Sequence, residues 1–331
     1  MQVTRIAPPG TENHRGSRAR PPPGNGQRVA HALRDRGIGF PLVLTHGFPQ
    51  SSYAWRKVMP LLAERYFVIA PDLRGLGDSE KPVGPYDKRT IAGDVAALVR
   101  HLGLAEVGAV GHDLGGAVAF YLAHDNPGLV ARLMILDVFP NAFRTGEPIA
   151  HEYALALHHM LFLGGRPDQA AAMVSRDIGE YLRRFLTGLD LNYRPDVFTE
   201  SEIAEYVRSY SIPGSVRAAC QWYAATLRQD ADNLAGLDHR LTVPVSAWGA
   251  SHCLGDIRWA WEPVAEQVEG GIFERCGHFI AEEQPELAAA RITEFFAPLA
   301  GDTAGSPAAR SDTAPETPGR STTLFAERTL S

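Results

Sequence analysis

The pentapeptide Gly111-His112-Asp113-Leu114-Gly115 is the strongest candidate for chemistry in this sequence. It follows a short apolar run, Val107 to Val110, and precedes a stretch of small residues that is typical of a helix. A side chain between glycines at a strand-to-helix turn is the arrangement of a nucleophile elbow, whose central residue is usually serine. Here the central residue is a carboxylate, so Asp113 is the candidate nucleophile. The alternative is an ordinary turn in which Asp113 caps the helix.

Two other loops contain groups that could work with Asp113. His46-Gly47-Phe48-Pro49 follows the first strong apolar run, and the backbone N–H groups of Phe48 and Leu114 are predicted to form an oxyanion hole. Cys276-Gly277-His278-Phe279 follows the last, weaker apolar run. A histidine in such a loop is the expected general base, which makes His278 the candidate.

A histidine base needs an acid to orient it, and the sequence offers two. Asp137 directly follows the apolar run Leu133 to Leu136. Asp256 is the nearest aspartate after the later run that ends at Trp248-Gly249, where His252 holds the expected position. We favour Asp137, because it would lie beside the elbow. The nucleophile, acid and base then occur in the order Asp113, Asp137, His278, which is the chain order of the catalytic triad in α/β hydrolases.

A carboxylate nucleophile restricts the reaction. Attack on an ester or amide would give an anhydride that easily reverts, whereas displacement at a saturated carbon gives a stable alkyl ester. His278 could then activate a water molecule that hydrolyses the ester at Asp113. The residues therefore predict an enzyme that acts on a small epoxide or carbon–halogen compound, without a metal ion or organic cofactor.

Short apolar runs alternate with amphipathic stretches along the middle of the chain, which predicts an α/β protein with a parallel sheet covered by helices. The strand-like runs are Leu42 to Leu44, Tyr66 to Ala70, Val107 to Val110, Leu133 to Leu136, Val243 to Trp248 and, more weakly, Gly271 to Phe273.

The chain divides into four parts by sequence pattern. Residues 1–28 and 300–331 are rich in small and turn-forming residues and are expected to be disordered tails. Residues 29–140 and 236–299 should form the core. Residues 141–235 lack a buried strand and contain several helix-like segments, so they are expected to form a helical cap over the carboxyl ends of the strands.

Composition indicates an ordinary globular protein that acts on a small molecule. Hydrophobic residues make up 45% and charged residues 21%, and the formal net charge of −6 is not clustered. This pattern argues against nucleic acid or a membrane as partner. The N-terminus lacks the apolar core of a secretory signal. Three widely spaced cysteines, Cys220, Cys253 and Cys276, are expected to be reduced, which predicts a cytoplasmic protein.

The region from about residue 40 to 298 resembles the epoxide hydrolase and haloacetate dehalogenase group of the α/β-hydrolase superfamily. The matching motifs are His46-Gly47-Phe48-Pro49-Gln50, Asp72-Leu73-Arg74-Gly75-Leu76-Gly77-Asp78-Ser79, Gly111-His112-Asp113 and Gly277-His278-Phe279. This resemblance implies the α/β-hydrolase fold, with a mostly parallel eight-stranded sheet flanked by helices and a helical cap insertion. It allows a homodimer but leaves the oligomeric state open.

The resemblance also identifies cap residues that could bind the leaving group. The segment from Tyr153 to Met160 is similar to the cap helix of fluoroacetate dehalogenases, with His159 in place of their halide-binding histidine. His158 takes that role if the register differs by one. Met160 replaces a tryptophan of that motif and cannot donate a hydrogen bond. Tyr223 lies where both branches of the group carry a cap tyrosine.

Two positions argue against a carboxylate substrate. The arginines that clamp fluoroacetate in its dehalogenases are replaced here by Leu114 and Ala117. Epoxide opening is therefore the first prediction, with Tyr223 and His159 as proton donors. Haloacid dehalogenation through the same ester is the alternative, and a non-catalytic ligand-binding protein is a third. The residues expected to contact substrate are His46, His112, His158, Met160, Trp222 and Phe279.

Overall fold

The computed structural model describes residues 31–140, 151–188, 191–300 and 322–324. The two predicted tails lie outside the described residues, apart from residue 300 and a short strand at 322–324. The first ten residues of the predicted cap, 141–150, also lie outside them. Across the described ranges, no helix is long and apolar enough to span a membrane.

A parallel sheet of six strands, β2 to β7, forms the centre of the fold. The order across the sheet is β7-β6-β5-β4-β2-β3-β1-β8, and β1 pairs antiparallel with both β3 and β8. The bounds are His31–Arg36 (β1), Phe40–Thr45 (β2), Tyr66–Pro71 (β3), Val107–His112 (β4), Val130–Leu136 (β5), Val245–Ala250 (β6), Val268–Phe273 (β7) and Thr322–Leu324 (β8).

Each of the six apolar runs became a strand of the parallel sheet, whereas β1 and β8 were not predicted from the pattern. The sequence of β1, His-Ala-Leu-Arg-Asp-Arg, lacks the continuous apolar run that identifies a strand covered on both faces. β8 lies inside the predicted C-terminal tail. The count of eight therefore depends on these two antiparallel segments at one edge.

Helices cover both faces of the sheet and make up the insertion between β5 and β6. They are Met59–Leu62 (α1), Lys88–His101 (α2), Leu114–His124 (α3), His151–Ala156 (α4), His158–Gly165 (α5), Pro167–Val174 (α6), Ile178–Gly188 (α7), Glu200–Tyr210 (α8), Ser215–Thr226 (α9), Gln229–Ala235 (α10), Arg258–Trp261 (α11), Ile280–Glu283 (α12) and Pro285–Phe296 (α13), with 3₁₀ turns at Ser52–Trp55 and Ala297–Leu299.

The central strands are buried on both faces because successive side chains point to opposite sides of the sheet. In β2, Val43 joins one buried apolar cluster with α2 and α3, while Leu42 and Leu44 join a second cluster with α13. The cap residues Leu182 and Trp222 belong to the first cluster. The cap therefore shares a continuous apolar core with one face of the sheet.

The sequence pattern of the cap favours helices over His151 to Leu163 and over Gln169 to Leu186, but the structure interrupts both segments. The first is interrupted at Leu157, whose φ of −100° and ψ of 20° separate α4 from α5. The second is interrupted before α7, where the Asp177 side chain accepts a hydrogen bond from the Glu180 N–H at 2.9 Å. A side chain that accepts a hydrogen bond from the N–H three residues later caps the start of a new helix. The spacing of apolar residues does not reveal such a boundary.

Strand β4 and helix α3 approach each other closely at the turn between them. A Cβ atom at Gly111 would lie 2.5 Å from both the Gly115 oxygen and the Gly116 Cα. These are backbone atoms, so they cannot move aside without shifting the helix. In contrast, Gly93 lies exposed within α2, and a Cβ atom there would meet nothing within 4 Å.

Substituting these two glycines should therefore have opposite effects on stability. We expect Gly111→Ala to lower the free energy of unfolding by about 1–3 kcal/mol through overpacking. Gly93→Ala should raise it by roughly 0.5–1 kcal/mol, because alanine loses less backbone entropy within a helix. Urea denaturation followed by circular dichroism measures both, and equal effects of the two substitutions would contradict the packing described here.

Candidate active site

The elbow places Asp113 in a backbone conformation that few side chains adopt. Asp113 lies between β4 and α3 with φ at 51° and ψ at −139°. The loop after β2 packs directly against it, since a Cβ atom at Gly47 would lie 2.2 Å from Asp113 Oδ2. On the other side, a Cβ atom at Gly115 would lie 2.5 Å from the Thr45 oxygen. The glycines of both motifs therefore permit the close approach of the two loops.

Two backbone N–H groups bind the carboxylate of Asp113. The Phe48 N–H donates to Asp113 Oδ2 at 2.7 Å, and the Leu114 N–H also hydrogen-bonds this carboxylate. Burial raises the pKa of Asp113, while the nearby His278 charge and these two N–H groups oppose that rise. The two predicted oxyanion donors thus meet at the carboxylate of the predicted nucleophile.

The predicted base and acid form a hydrogen-bonded pair beside Asp113. His278 Nδ1 donates to Asp137 Oδ2 at 2.7 Å, and the other oxygen of Asp137 accepts from the Ala250 N–H at 2.8 Å. His278 Nε2 then faces Asp113, 4.0 Å from Oδ1. Asp113 Oδ1 and His278 Nε2 therefore lie at the same part of the site.

The charged form of His278 is favoured in this setting. Burial lowers the pKa of His278, but the hydrogen bond to the Asp137 carboxylate outweighs it, so the pKa lies well above its ordinary value. The competing acid, Asp256, instead pairs with Arg258 through contacts of 2.6 to 3.1 Å. The geometry therefore places Asp137, not Asp256, against the histidine.

A cavity of about 300 Å³ opens above the nucleophile, between the sheet and the cap. Its wall contains Asp113 and His278 from the core together with His159 and Tyr223 from the cap. Burial, followed by the charge of Asp113, raises the pKa of Tyr223 well above 10. Burial lowers the pKa of His159 to about 3, so its imidazole is neutral at pH 7. Both side chains consequently keep a proton on a neutral donor.

Of the other residues predicted to contact substrate, the structure brings only Met160 into the cavity wall. His158 is exposed, and its Nδ1 lies 3.0 Å from the Leu155 oxygen. The register of the cap motif thus directs His159 inward and His158 to solvent.

Four predicted contact residues, His46, His112, Trp222 and Phe279, are buried behind the described cavity wall rather than in it. Here the structure differs from the prediction: the polar side-chain atoms of His46, His112 and Trp222 bond to the protein itself, and Phe279 has none. His46 Nε2 accepts from the Leu73 N–H at 3.1 Å, and His112 Nε2 donates to the His278 oxygen at 2.7 Å. Burial lowers the pKa of His112 to about 3, so the imidazole that bonds the His278 backbone is neutral.

Several polar residues of the cavity wall were not predicted from the sequence. Lys88, Thr226 and Asp230 line one part of it. Lys88 begins an amphipathic helix, and the other two end one cap helix and begin the next, so none carried a motif. A polar residue facing a cap has no signature in a single sequence, because its environment depends on how two distant segments pack.

One set of side chains at this site could in principle ligate a metal ion. Asp137, Cys253 and His278 each have a ligand atom within 4.8 Å of the others. However, Asp137 and His278 already share a 2.7 Å hydrogen bond, which an ion would have to replace. The arrangement fits an orienting acid and its base better than a metal centre.

Comparison with known proteins agrees with this geometry. The family of the alpha/beta hydrolase fold matches residues 41–285. A soluble epoxide hydrolase from Corynebacterium sp. (strain C12) is 57% identical over 275 residues, covering 83% of this chain and 96% of that protein. A fluoroacetate dehalogenase from Burkholderia sp. is 30% identical over 271 residues, covering 78% and 88%.

Solved structures show the same relationship. The structure of epoxide hydrolase CorEH without ligand has a TM-score of 0.80 and 57% identity, covering 83% of this chain and 96% of that chain. Cfl2 from Burkholderia cenocepacia has a TM-score of 0.76 and 33% identity, covering 81% and 92%. The chain therefore belongs to the alpha/beta hydrolase fold family, within the group that contains these epoxide hydrolases and haloacetate dehalogenases.

Proposed function

We propose that this protein hydrolyses epoxides to diols through an ester formed on Asp113. The observation that carries the proposal is the position of the carboxylate. One oxygen is held by the Phe48 N–H at 2.7 Å, and the other lies 4.0 Å from His278 in a cavity that also contains Tyr223. The 57% identity to a soluble epoxide hydrolase supports the same reaction.

In the first step, Asp113 Oδ1 attacks an epoxide carbon and the carbon–oxygen bond of the ring breaks. An alkyl ester forms on Asp113, and the ring oxygen leaves with negative charge. Tyr223 gives that oxygen a proton, and the neutral N–H of His159 donates a hydrogen bond to it. Because burial raises the pKa of Tyr223, the hydroxyl is protonated before the reaction.

In the second step, His278 Nε2 takes a proton from water, and the resulting hydroxide attacks the carbonyl carbon of the ester. The negative charge develops on Oδ2, which accepts from the Phe48 N–H, and the Leu114 N–H hydrogen-bonds the same carboxylate. Collapse of this intermediate breaks the bond between the Asp113 carbonyl carbon and the ester oxygen. The departing alkoxide takes the proton of the added hydroxyl, which releases the diol and restores the Asp113 carboxylate. The proton on His278 then returns to Tyr223, so one epoxide and one water give one diol.

A haloacetate dehalogenase is the second candidate, favoured by the 30% identity to a fluoroacetate dehalogenase. Halide release would use the same ester but needs a partner for the substrate carboxylate. Leu114 and Ala117 are apolar parts of the cavity wall. Lys88 is the only lysine or arginine among the described residues of that wall, and its ammonium lies 2.8 Å from Asp230. The wall is therefore better suited to an uncharged substrate.

Product analysis separates the two candidates. The purified protein is offered an aryl epoxide and, in parallel, fluoroacetate and chloroacetate. We expect a diol from the epoxide, detected by chromatography, and no halide by ion-selective electrode. Asp113→Asn should remove the diol activity while preserving the fold. Halide release without any diol would contradict the proposal and favour the dehalogenase.

The pH dependence of ester hydrolysis should report the pKa of His278. Only neutral His278 can accept a proton from water, so hydrolysis slows as the pH falls through that pKa. Asp137→Asn removes the negative partner that raises the pKa, while burial still lowers it. We therefore expect the acidic limb to move to lower pH, with a rate at its plateau reduced by roughly 10²-fold or more, since the amide no longer stabilises the imidazolium.

Rapid-quench measurements of ester decay from about pH 5 to 9 provide this profile. Asp256→Asn is the matched control, because Asp256 pairs with Arg258 and not with the histidine. Its profile should equal that of the unmodified protein. The assignment of Asp137 as the partner of His278 would be contradicted if the acidic limb shifted in Asp256→Asn, or if it did not shift in Asp137→Asn.

A further inference from the structure

A buried ion pair joins the core to the cap beside the cavity. Lys88, at the start of α2, is 1% exposed, and its Nζ lies 2.8 Å from Oδ2 of Asp230 in α10, which is 5% exposed. The Lys88 backbone N–H donates to the other oxygen of Asp230 at 2.8 Å. A cation at a helix N-terminus opposes the helix dipole, and burying an ammonium is unfavourable. Helix stability therefore does not explain why a buried lysine occupies this position.

The remaining contacts of the ammonium are with α9, the helix that carries Tyr223. Lys88 Nζ donates to the Trp222 oxygen at 2.8 Å and to Thr226 Oγ1 at 2.6 Å. The ammonium therefore has two hydrogen-bond acceptors in α9, in addition to its ionic contact with Asp230. The Trp222 carbonyl belongs to the peptide bond that joins Trp222 to Tyr223. The cation therefore bonds directly to the backbone that positions the proposed proton donor.

Two further contacts hold Tyr223 in relation to Asp113. The Trp222 indole donates to the Arg74 oxygen of the core at 2.9 Å, next to the ammonium contact. The Tyr223 ring packs edge-on against Phe48, with centroids 5.1 Å apart. The Phe48 backbone N–H also binds Asp113, so Phe48 contacts both the nucleophile and the proposed proton donor.

We infer that Lys88, through its pair with Asp230, is a positioning residue that sets Tyr223 over Asp113 for ring opening. This inference rests on the proposed function, in which Tyr223 acts only in the first step. Small displacements of a reacting group cost up to about 10²-fold in rate. Ester hydrolysis depends on His278 and Asp137, which have no contact with the ammonium. A positioning role therefore predicts slower ester formation with unchanged ester hydrolysis.

Single-turnover rapid quench with intact-protein mass spectrometry separates the two steps, using an aryl epoxide that the unmodified protein converts. Lys88→Met should slow ester formation about tenfold or more. Thr226→Val, which keeps both charges but loses one acceptor, should slow it roughly threefold. Tyr223→Phe is the reference for loss of the donor. In all three variants the ester should decay within about twofold of the normal rate.

Arg208→Gln is the matched control. Arg208 in α8 also joins cap to core, through an exposed pair with Asp78 at 3.0 Å, but it does not contact α9 near Tyr223. Both of its rates should be unchanged.

Normal ester formation in folded Lys88→Met would overturn the inference, as would equal slowing of both steps, which indicates general support of the cap. If Lys88→Met does not fold, Thr226→Val decides: normal ester formation in that variant also overturns it. Absence of any ester in the unmodified protein would refute the proposed function and the inference together. An ester that forms equally fast in every variant would refute the inference alone.

Discussion

The hydrogen bond from the Phe48 backbone N–H to Asp113 is the contact on which the rest of the site depends. At 2.7 Å it fixes Oδ2 and leaves Oδ1 free, 4.0 Å from His278. The same N–H would later stabilise the charge that develops on Oδ2 during ester hydrolysis, an effect of about 3 kcal/mol in comparable sites. It requires the positive φ of Asp113 and the absence of a side chain at Gly47.

The two domains of the site have different tasks. The ends of neighbouring parallel strands bring the Asp113 and Asp137 loops together, because β4 and β5 are adjacent in the sheet. The cap contributes Tyr223 and His159 to the cavity wall, where they are the proposed donors to the leaving group. In the proposed mechanism, the core residues form and hydrolyse the ester, and the cap residues bind the leaving group. Lys88 connects these tasks, since it belongs to the core but bonds to the helix of Tyr223.

Much of the core part of the candidate site could be predicted from sequence, because its residues lie in short contiguous motifs. Asp113, Phe48 and His278 each follow a strand, so strand order alone brings them to one edge of the sheet. The cap was less predictable, because its residues reach the site through packing between distant helices. Trp222 illustrates the limit: it neighbours Tyr223 in sequence but points away from the cavity and bonds to the core. Lys88 had no motif at all.

The most direct test of the account is the fate of water oxygen in a single turnover in heavy-oxygen water. An ester on Asp113 is cleaved when water attacks its carbonyl carbon, so the label should enter the Asp113 carboxylate. Mass spectrometry of the peptide that contains Asp113 should show the heavier oxygen, and the diol of the first turnover should be unlabelled. Label in that diol and none in Asp113 would mean that water attacks the epoxide directly, which would contradict the nucleophilic role of this residue.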